Sequence, residues 1–508
     1  MTKRGSITVF LALVLGLVLS LLSSGLESAR MAAARTQILN GMDIGLYSLF
    51  GQYNKSLLKD FDLFAVDGTC GGKEMDLASV YDNLESYMKP VMKQNSQKLS
   101  VQQGGISGYL LMTDSEGEIF YQQAVRYMKE TLGSHGAKLL LNKIRNLQRK
   151  TIEAEAKGDE LENRGTIENY ESEMDSASQK SQAALEEKKK QEQQNQQEQQ
   201  NQQEQNGFTD GNMLPAVTET EVPPVKVENP IPVIRKLRWM GILDLVLPAE
   251  KNISDKSVKK KALLSGRKLE QGFAMEDTVK PDGTVASQVL FQQYLFEKLG
   301  NYMEPGMGEL AYQIEYIIER KSSDKANLKA IAKKLLMVRE GINVACLMSD
   351  PLMMSQIQAL AAAIAAGFLI PPAAVAIEAA LILCWSFAES VLDVRELFAG
   401  GKVPLVKNSS NWQLSLQGMS ALEDKLDTDR KNDKEGLSYL DYLQIFLFTT
   451  SKSQKISGGM DMVECAFREK NNWEDFRLDF CITALEASVD VNANKRKTFT
   501  VAREYHYM

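Results

Sequence analysis

The chain has 508 residues, of which 44% are hydrophobic and 25% charged, with a formal net charge of −7. That length exceeds one ordinary domain, so two or three units are expected. The negative balance, with no basic patch interleaved with aromatics, argues against nucleic-acid binding, and only two histidines (His135 and His506) are present to build a His-rich metal site.

The N-terminus carries the clearest signal. Lys3 and Arg4 precede an uncharged run that Glu27, Arg30 and Arg35 close. Residues 7–26 form about 30 Å of helix, the thickness of a bilayer's hydrocarbon core. Ile7, Val9, Phe10, Leu11, Leu13, Val14, Leu15, Leu17, Val18, Leu19, Leu21 and Leu22 are therefore assigned as a membrane anchor. A cleaved signal peptide is the rival reading, with Ser23-Ser24-Gly25 as its cleavage point. The retained anchor is preferred, because the apolar run is long and no Pro or Gly interrupts residues 26–40. Basic residues lie on both sides of the span, so the positive-inside bias is slight. The short leading tail fits an N-in, single-pass anchor with the bulk of the chain outside.

Residues 27–58 read as a long helix leaving the membrane, with Ile38, Met42, Leu46, Leu49 and Phe50 at three- and four-residue steps facing a folded body. Residues 60–76 read as a strand or turn broken by glycines, and residues 77–92 as a helix. Residues 97–114 look like two short strands around a Gly104-Gly105 turn. An amphipathic helix is expected over 116–132, with Phe120, Ala124, Tyr127 and Met128 as core candidates, and another from Ala137.

From about residue 151 to 205 the composition is strongly biased, ending in a tract where NQQEQQ recurs with period six. Such a tract cannot bury a core, and period six does not match heptads, so an exposed arm or spacer is expected rather than a stable coiled coil. A Pro-containing linker follows to about residue 229.

The second half, 230–508, opens with residues that suggest a helix and then a strand around Gly241, followed by several helices. Residues 351–385 are the most apolar stretch after the anchor. Pro371-Pro372 splits them, and Ser355, Gln356, Gln358 and Glu378 interrupt them. A buried helical hairpin over 351–398 is preferred to a second membrane-inserted segment. KVPLVK and WQLSLQ look like strands, a helical region breaks at Gly458-Gly459, and the chain ends in two long strands turned at residues 492–497. The fold class is thus α+β and predominantly helical: a transmembrane helix continuing into a long helix, and an ectodomain in two halves separated by the Gln-rich insertion.

The stretches KRGSITVFLALVLGLVLSLL, LESARMAAARTQILNGMDIGLYSLFGQYNKSLLKDFDLFAVD, NPIPVIRKLRWMGILDLVLP, WSFAESVLDVRELFAGGKVPLVK and YLDYLQIFLF resemble an uncharacterised family of Gram-positive membrane proteins. Its N-terminus is similar to the pseudopilin-like TadE and TadG components of tight-adherence (Flp) pilus assembly. The resemblance implies a structural or accessory role in such a pilus or secretion apparatus, with the lipid bilayer and other membrane or pilus-assembly proteins as partners. It also makes Gly5 a candidate processing point beside Gly25. Pilin-type precursors carry Glu at the fifth position beyond the cut, where this chain has Phe10.

No catalytic motif, Walker or Rossmann fingerprint, or EF-hand spacing occurs, so no catalytic, cofactor or metal residue is assigned and the protein is read as non-enzymatic. The alternative is a surface hydrolase or ligand-binding protein whose site forms only in the fold. Cys70, Cys346, Cys384, Cys465 and Cys481 are widely spaced; free thiols are expected, with a Cys465–Cys481 disulfide as the one pairing considered.

Overall fold

The structure is a computed structural model that describes residues 3–93, 98–162, 190, 229–238, 240–248, 252–275, 281–367, 374–426, 436–493 and 497–507. The Gln-rich tract, most of the Pro-containing linker and Pro371-Pro372 lie outside these residues. Helix accounts for 65% and strand for 12%, an α+β and predominantly helical chain as expected.

In chain order the elements begin with α1 (Lys3–Phe50), α2 (Lys55–Phe61), β1 (Val66–Asp67), α3 (Leu77–Lys93), β2 (Leu99–Leu111) and α4 (Asp114–Glu162). Then come α5 (Ile231–Arg238), α6 (Ile242–Val246), α7 (Val285–Lys298), α8 (Gln313–Glu319), α9 (Asp324–Ser349), α10 (Pro351–Gly367) and α11 (Ala374–Ala399). After these come β3 (Lys402–Val403), β4 (Leu437–Ser438), α12 (Tyr439–Thr449), α13 (Lys452–Asn471), β5 (Cys481–Ala493) and β6 (Lys497–His506), with a one-turn helix at Leu422–Lys425 and short 3-10 turns between the longer elements.

These elements form two compact units that interleave along the chain. One comprises residues 1–142, 254–327 and 446–508, the other 143–253 and 328–445. The expected division into consecutive halves, 27–150 and 230–508, does not match this. The reason is strand pairing: β5 from the end of the sequence lies antiparallel between β2 and β6, and β1 joins it at Val66–Ile482.

The first unit is built on that sheet. Along β5, Leu485, Ala487, Val489 and Val491 alternate onto one face, the period of a strand with one buried side. They meet Ile38, Met42, Leu46, Leu49 and Phe50 of α1 and Val80, Leu84, Met88 and Met92 of α3 in one core. Phe499, Tyr505 and Tyr507 pack at its margin. The opposite face is polar, with Asp490 accepting from Gln103 and Thr500 at 2.6 Å each.

Several local expectations need correction here. The long helix stops at Phe50, and Asn54 starts α2 by accepting from the Leu57 N–H at 3.0 Å. Residues 99–111 are one bulged strand and not two, because Gly104 is where another side chain comes close. A Cβ there would lie 1.9 Å from the Tyr81 hydroxyl. In α4 the entry residues Ser115, Glu116 and Gly117 are left-handed, so the regular helix starts just beyond them. Gly458-Gly459 does not break α13. A Cβ on Gly459 would meet Leu295 at 2.9 Å and Phe120 at 3.4 Å, so the glycine serves close packing. The actual break falls before Lys452, where Ser451 caps α13 by accepting from the Gln454 N–H at 3.2 Å.

The second unit holds α5, α6, α10, α11, β3, β4 and most of α9. The α10 and α11 helices pack against each other as a hairpin, and α11 is buried along most of its length. Residues 242–246, expected as a strand, are the helix α6. Its Leu245 N–H donates to Gly241 O at 3.2 Å. KVPLVK contributes only the two-residue β3, and WQLSLQ is not a strand. The backbone N–H groups of Gln413 and Leu414 donate to the Glu389 carboxylate at 2.9 and 3.0 Å, which removes them from any ladder.

Gly104→Ala forces a methyl group into the Tyr81 contact and should lower stability by about 1–3 kcal/mol in urea denaturation. Adding Tyr81→Phe removes the nearest atom and should restore part of the loss; equal stability of wild type and Gly104→Ala would show that the close approach does not matter.

Candidate functional site

The helix α1 divides sharply along its length. All twelve residues assigned to the anchor are exposed, from 43% for Val14 to 69% for Leu13 and Leu21. Burial then sets in at Ala34 and recurs at residues 37, 38, 41, 42, 45, 46, 49 and 50, the stripe of a helix packed on one side. Leu26 and Ala34 are eight positions apart, about 12 Å of helix. Glu27, Arg30 and Arg35 fall in or beside that collar. Among the described residues α1 and α11 are long and apolar enough to cross a membrane. The apolar window of α1 is 0% buried, whereas that of α11 is 67% buried and therefore reads as a core helix. Gly25 lies within the exposed part of α1, and Gly5 lies near its start.

A groove of about 880 Å³ opens elsewhere in the first unit, beside Phe64, Gln123, Tyr127, Lys129, Asp282 and Tyr507. Gln123 fixes Phe64 by accepting from its N–H at 2.8 Å and donating to its carbonyl at 3.0 Å. Phe64 stacks obliquely on Tyr507 at 5.6 Å, and Tyr507 on Phe50 at 4.9 Å. Tyr127 donates to Glu297 at 2.6 Å, while Lys298 bridges Tyr127 and Asp62. The groove therefore offers aromatic faces with polar groups between them. Sequence reasoning missed it, because its walls come from segments more than 400 residues apart.

Two buried charge clusters were also missed. In the second unit Arg339 holds Asp393 through Nε at 3.0 Å and Nη2 at 2.7 Å, and Asn343 donates to both Asp393 and Ser390. Lys407 pairs with both Glu389 and Asp393. All four charged side chains are buried. Burial pushes the Glu389 carboxyl up; Asp393 is equally buried, yet the Arg339 and Lys407 charges hold it below the usual carboxylate range. A signal was available: Glu389 and Asp393, four residues apart on an apolar helix, share a face that must find cations.

In the first unit Arg267 grips Glu464 with two nitrogens at 2.6 and 2.7 Å and reaches Asp479 at 2.8 Å. Arg468 adds a second guanidinium to Glu464 at 2.6 Å. Asp461 accepts from Ser265, Tyr316 and Arg320 at 2.7–2.8 Å. On the same helix, α13, Lys455 is only 1% exposed and its Nζ has no hydrogen-bond partner among the described residues. Burial lowers its pKa from the ordinary 10.5 to about 8. Among the described residues no group of three or more His, Cys, Asp or Glu could hold a metal ion. All five cysteines are free, Cys70 exposed and the others buried, so the Cys465–Cys481 pairing is not formed. Burial pushes the Cys384 thiol up to about 12.

Both features predict stability effects. Asp393→Ala leaves Arg339 and Lys407 buried without their shared anion and should cost about 3–5 kcal/mol by urea denaturation. Lys455 behaves oppositely. Between pH 8 and 10.5 the unfolded chain binds more protons at this lysine than the folded one, so stability rises with pH across that window and the full penalty stands below it. Lys455→Met should raise stability at pH 7 by on the order of 2–3 kcal/mol and flatten that rise. An unchanged pH profile would show that the amine is not buried as a neutral group.

No curated protein and no solved structure matches the chain. A family model matches residues 220–493, more than half of the sequence, and the chain belongs to that family, described as a Family of unknown function (DUF5702).

Proposed function

We propose that the protein is a non-enzymatic, single-pass membrane protein that holds its folded body on the extracytoplasmic side of a bacterial cell membrane. In this reading it is a structural or accessory component of a tight-adherence-type pilus or secretion apparatus. The observation that carries the reading is the division of α1: its first part is exposed hydrocarbon, and its second part is buried in the core of a sheet domain. One unbroken helix then transmits any lateral contact between spans directly to the folded body. A chain released by cleavage near Gly25 would keep the sheet-packed part and lose the exposed part.

The groove beside Phe64 and Tyr507 supports a second reading, a surface ligand-binding protein. Aromatic faces with interspersed hydrogen-bonding groups are what a positioned small ligand needs.

The full-length chain should stay in membranes washed with alkaline carbonate and come out only with detergent. Co-purification from that extract should recover the membrane platform and ATPase of a pilus-assembly machine. Intact mass separates the processing routes: loss through Gly25 marks signal cleavage, and loss through Gly5 marks pilin-type cleavage. Isolation of an untrimmed chain from the soluble fraction without detergent would sink the proposal.

A further inference from the structure

The end of the first unit from which the exposed part of α1 emerges is ringed by positive charge. Along β6, Arg503 pairs with Asp43 of α1 at 3.1 Å, and Tyr505 meets Tyr47 edge-on at 6.3 Å. Two residues of strand, about 6.6 Å, thus keep step with four residues of helix, about 6 Å, so β6 followed backwards descends α1 toward its N-terminus. Lys497 lies six residues below Arg503, about 20 Å, which equals about 13 residues of helix and reaches the level of Arg30. Lys98 flanks the same end of the sheet, since Leu99 and Lys497 both pair with Ala493. Lys93 closes α3, whose Val91 carbonyl accepts from Gln37 of α1 at 3.3 Å. Arg30, Arg35, Lys93, Lys98 and Lys497 are all exposed. Lys89 and Arg503 nearby have carboxylate partners, Glu85 at 3.2 Å and Asp43; among the described residues none of the five ring cations has one. Glu27 is the one acid over residues 26–35 of α1.

We infer that this ring binds the phosphate headgroups of anionic lipid in the leaflet next to the sheet domain. The inference rests on the anchored reading of α1 and deepens it by naming the lipid class. Arg30 stands four residues, about 6 Å, beyond Leu26, which is the height of a headgroup layer above hydrocarbon. The chain carries a net charge of −7, so a cluster of cations at this one end is opposite in sign to the molecule as a whole. Its attraction fades within about 10 Å at 0.1 M salt, and it therefore acts on an anionic layer held directly against it. The hydrocarbon of α1 that begins just below Arg30 holds such a layer there. Lys93, Lys98 and Lys497 come from α3, the start of β2 and β6, and only folding brings them to the level of Arg30 and Arg35. The surface thus belongs to the folded unit and not to the flank of the span alone.

One experiment separates the ring from the anchor. Full-length protein is reconstituted into phosphatidylcholine vesicles carrying spin-labelled phosphatidylglycerol or, in parallel, spin-labelled phosphatidylcholine. Electron spin resonance then reads the share of each probe immobilised at the protein surface. The expected result is a several-fold preference for the phosphatidylglycerol probe. It should drop by at least half in the triple variant Lys93→Gln, Lys98→Gln, Lys497→Gln, and likewise in about 0.5 M salt. The control Lys259→Gln, Lys260→Gln, Lys261→Gln removes as much charge from an exposed run of the same unit. That run lies by the opposite end of α1, where Arg468 donates to Ala262 O at 3.2 Å and Lys470 pairs with Asp60 of α2, so the control should keep the preference. All six lysines are exposed, and both variants should keep the wild-type urea midpoint. Immobilised lipid with equal shares of the two probes overturns the ring and leaves the anchor standing. A preference unchanged in the triple variant, or lost equally in the control, overturns the ring as well. Absence of any immobilised lipid removes the anchor itself.

Discussion

The structure depends on one helix that carries two different apolar patterns. In α1 the apolar residues run all round the helix over 7–26 and then narrow to a single stripe from Ala34 onward. The first pattern is stable only where the surroundings are apolar on every side; the second needs water on one side and a core on the other. No Pro or Gly separates them over residues 26–40, so the helix passes from one regime to the other without a hinge. The stripe is then covered by β5 and by α3, which brings the end of the sequence onto its beginning. The first unit cannot form until the last strands arrive, and this long-range pairing is the main topological constraint of the fold.

Within each unit, burial of charge fixes geometry that apolar packing alone would leave loose. Arg267 ties the extended segment after residue 254 to α13 and to the approach of β5 by holding Glu464 and Asp479 together. Arg339 and Lys407 do the same for α9, α11 and the loop after β3. Such clusters add little net stability compared with hydrophobic replacements, but a single missing partner is expensive, so each works as a registration device for the elements it joins. Lys455 departs from that rule. It is buried on the same helix as Asp461 and Glu464, yet its amine has no hydrogen-bond partner among the described residues, and the burial cost appears as a lowered pKa.

What could be read in the sequence was what depends on local pattern. The apolar N-terminal helix, the stripe of Ile38, Met42, Leu46, Leu49 and Phe50, the helix over 77–92 and the terminal hairpin each carry their own pattern, and each appears in the structure. What could not be read depends on partners far away in sequence. Gly104-Gly105 and Gly458-Gly459 look like breaks because glycine lacks intrinsic preference for helix or strand. At Gly104 and Gly459 it is there because Tyr81, Leu295 and Phe120 come close. WQLSLQ alternates like a strand, yet its backbone is claimed by Glu389. The groove was invisible for the same reason, since Phe64 and Tyr507 become neighbours only when the sheet closes.

The family match and the fold do not share boundaries. The matched residues 220–493 contain β5 but exclude β2 and β6, the two strands that pair along it, and exclude α1 and α3, which cover its apolar face. A piece limited to that span would leave Leu485, Ala487, Val489 and Val491 without their core and the backbone of β5 without most of its hydrogen-bond partners. The matched span therefore needs α1, α3 and β2 from the N-terminal side to complete the first unit. The same residues that bury β5 belong to the helix carrying the exposed hydrocarbon, so the sheet domain and the exposed apolar part of α1 are continuous.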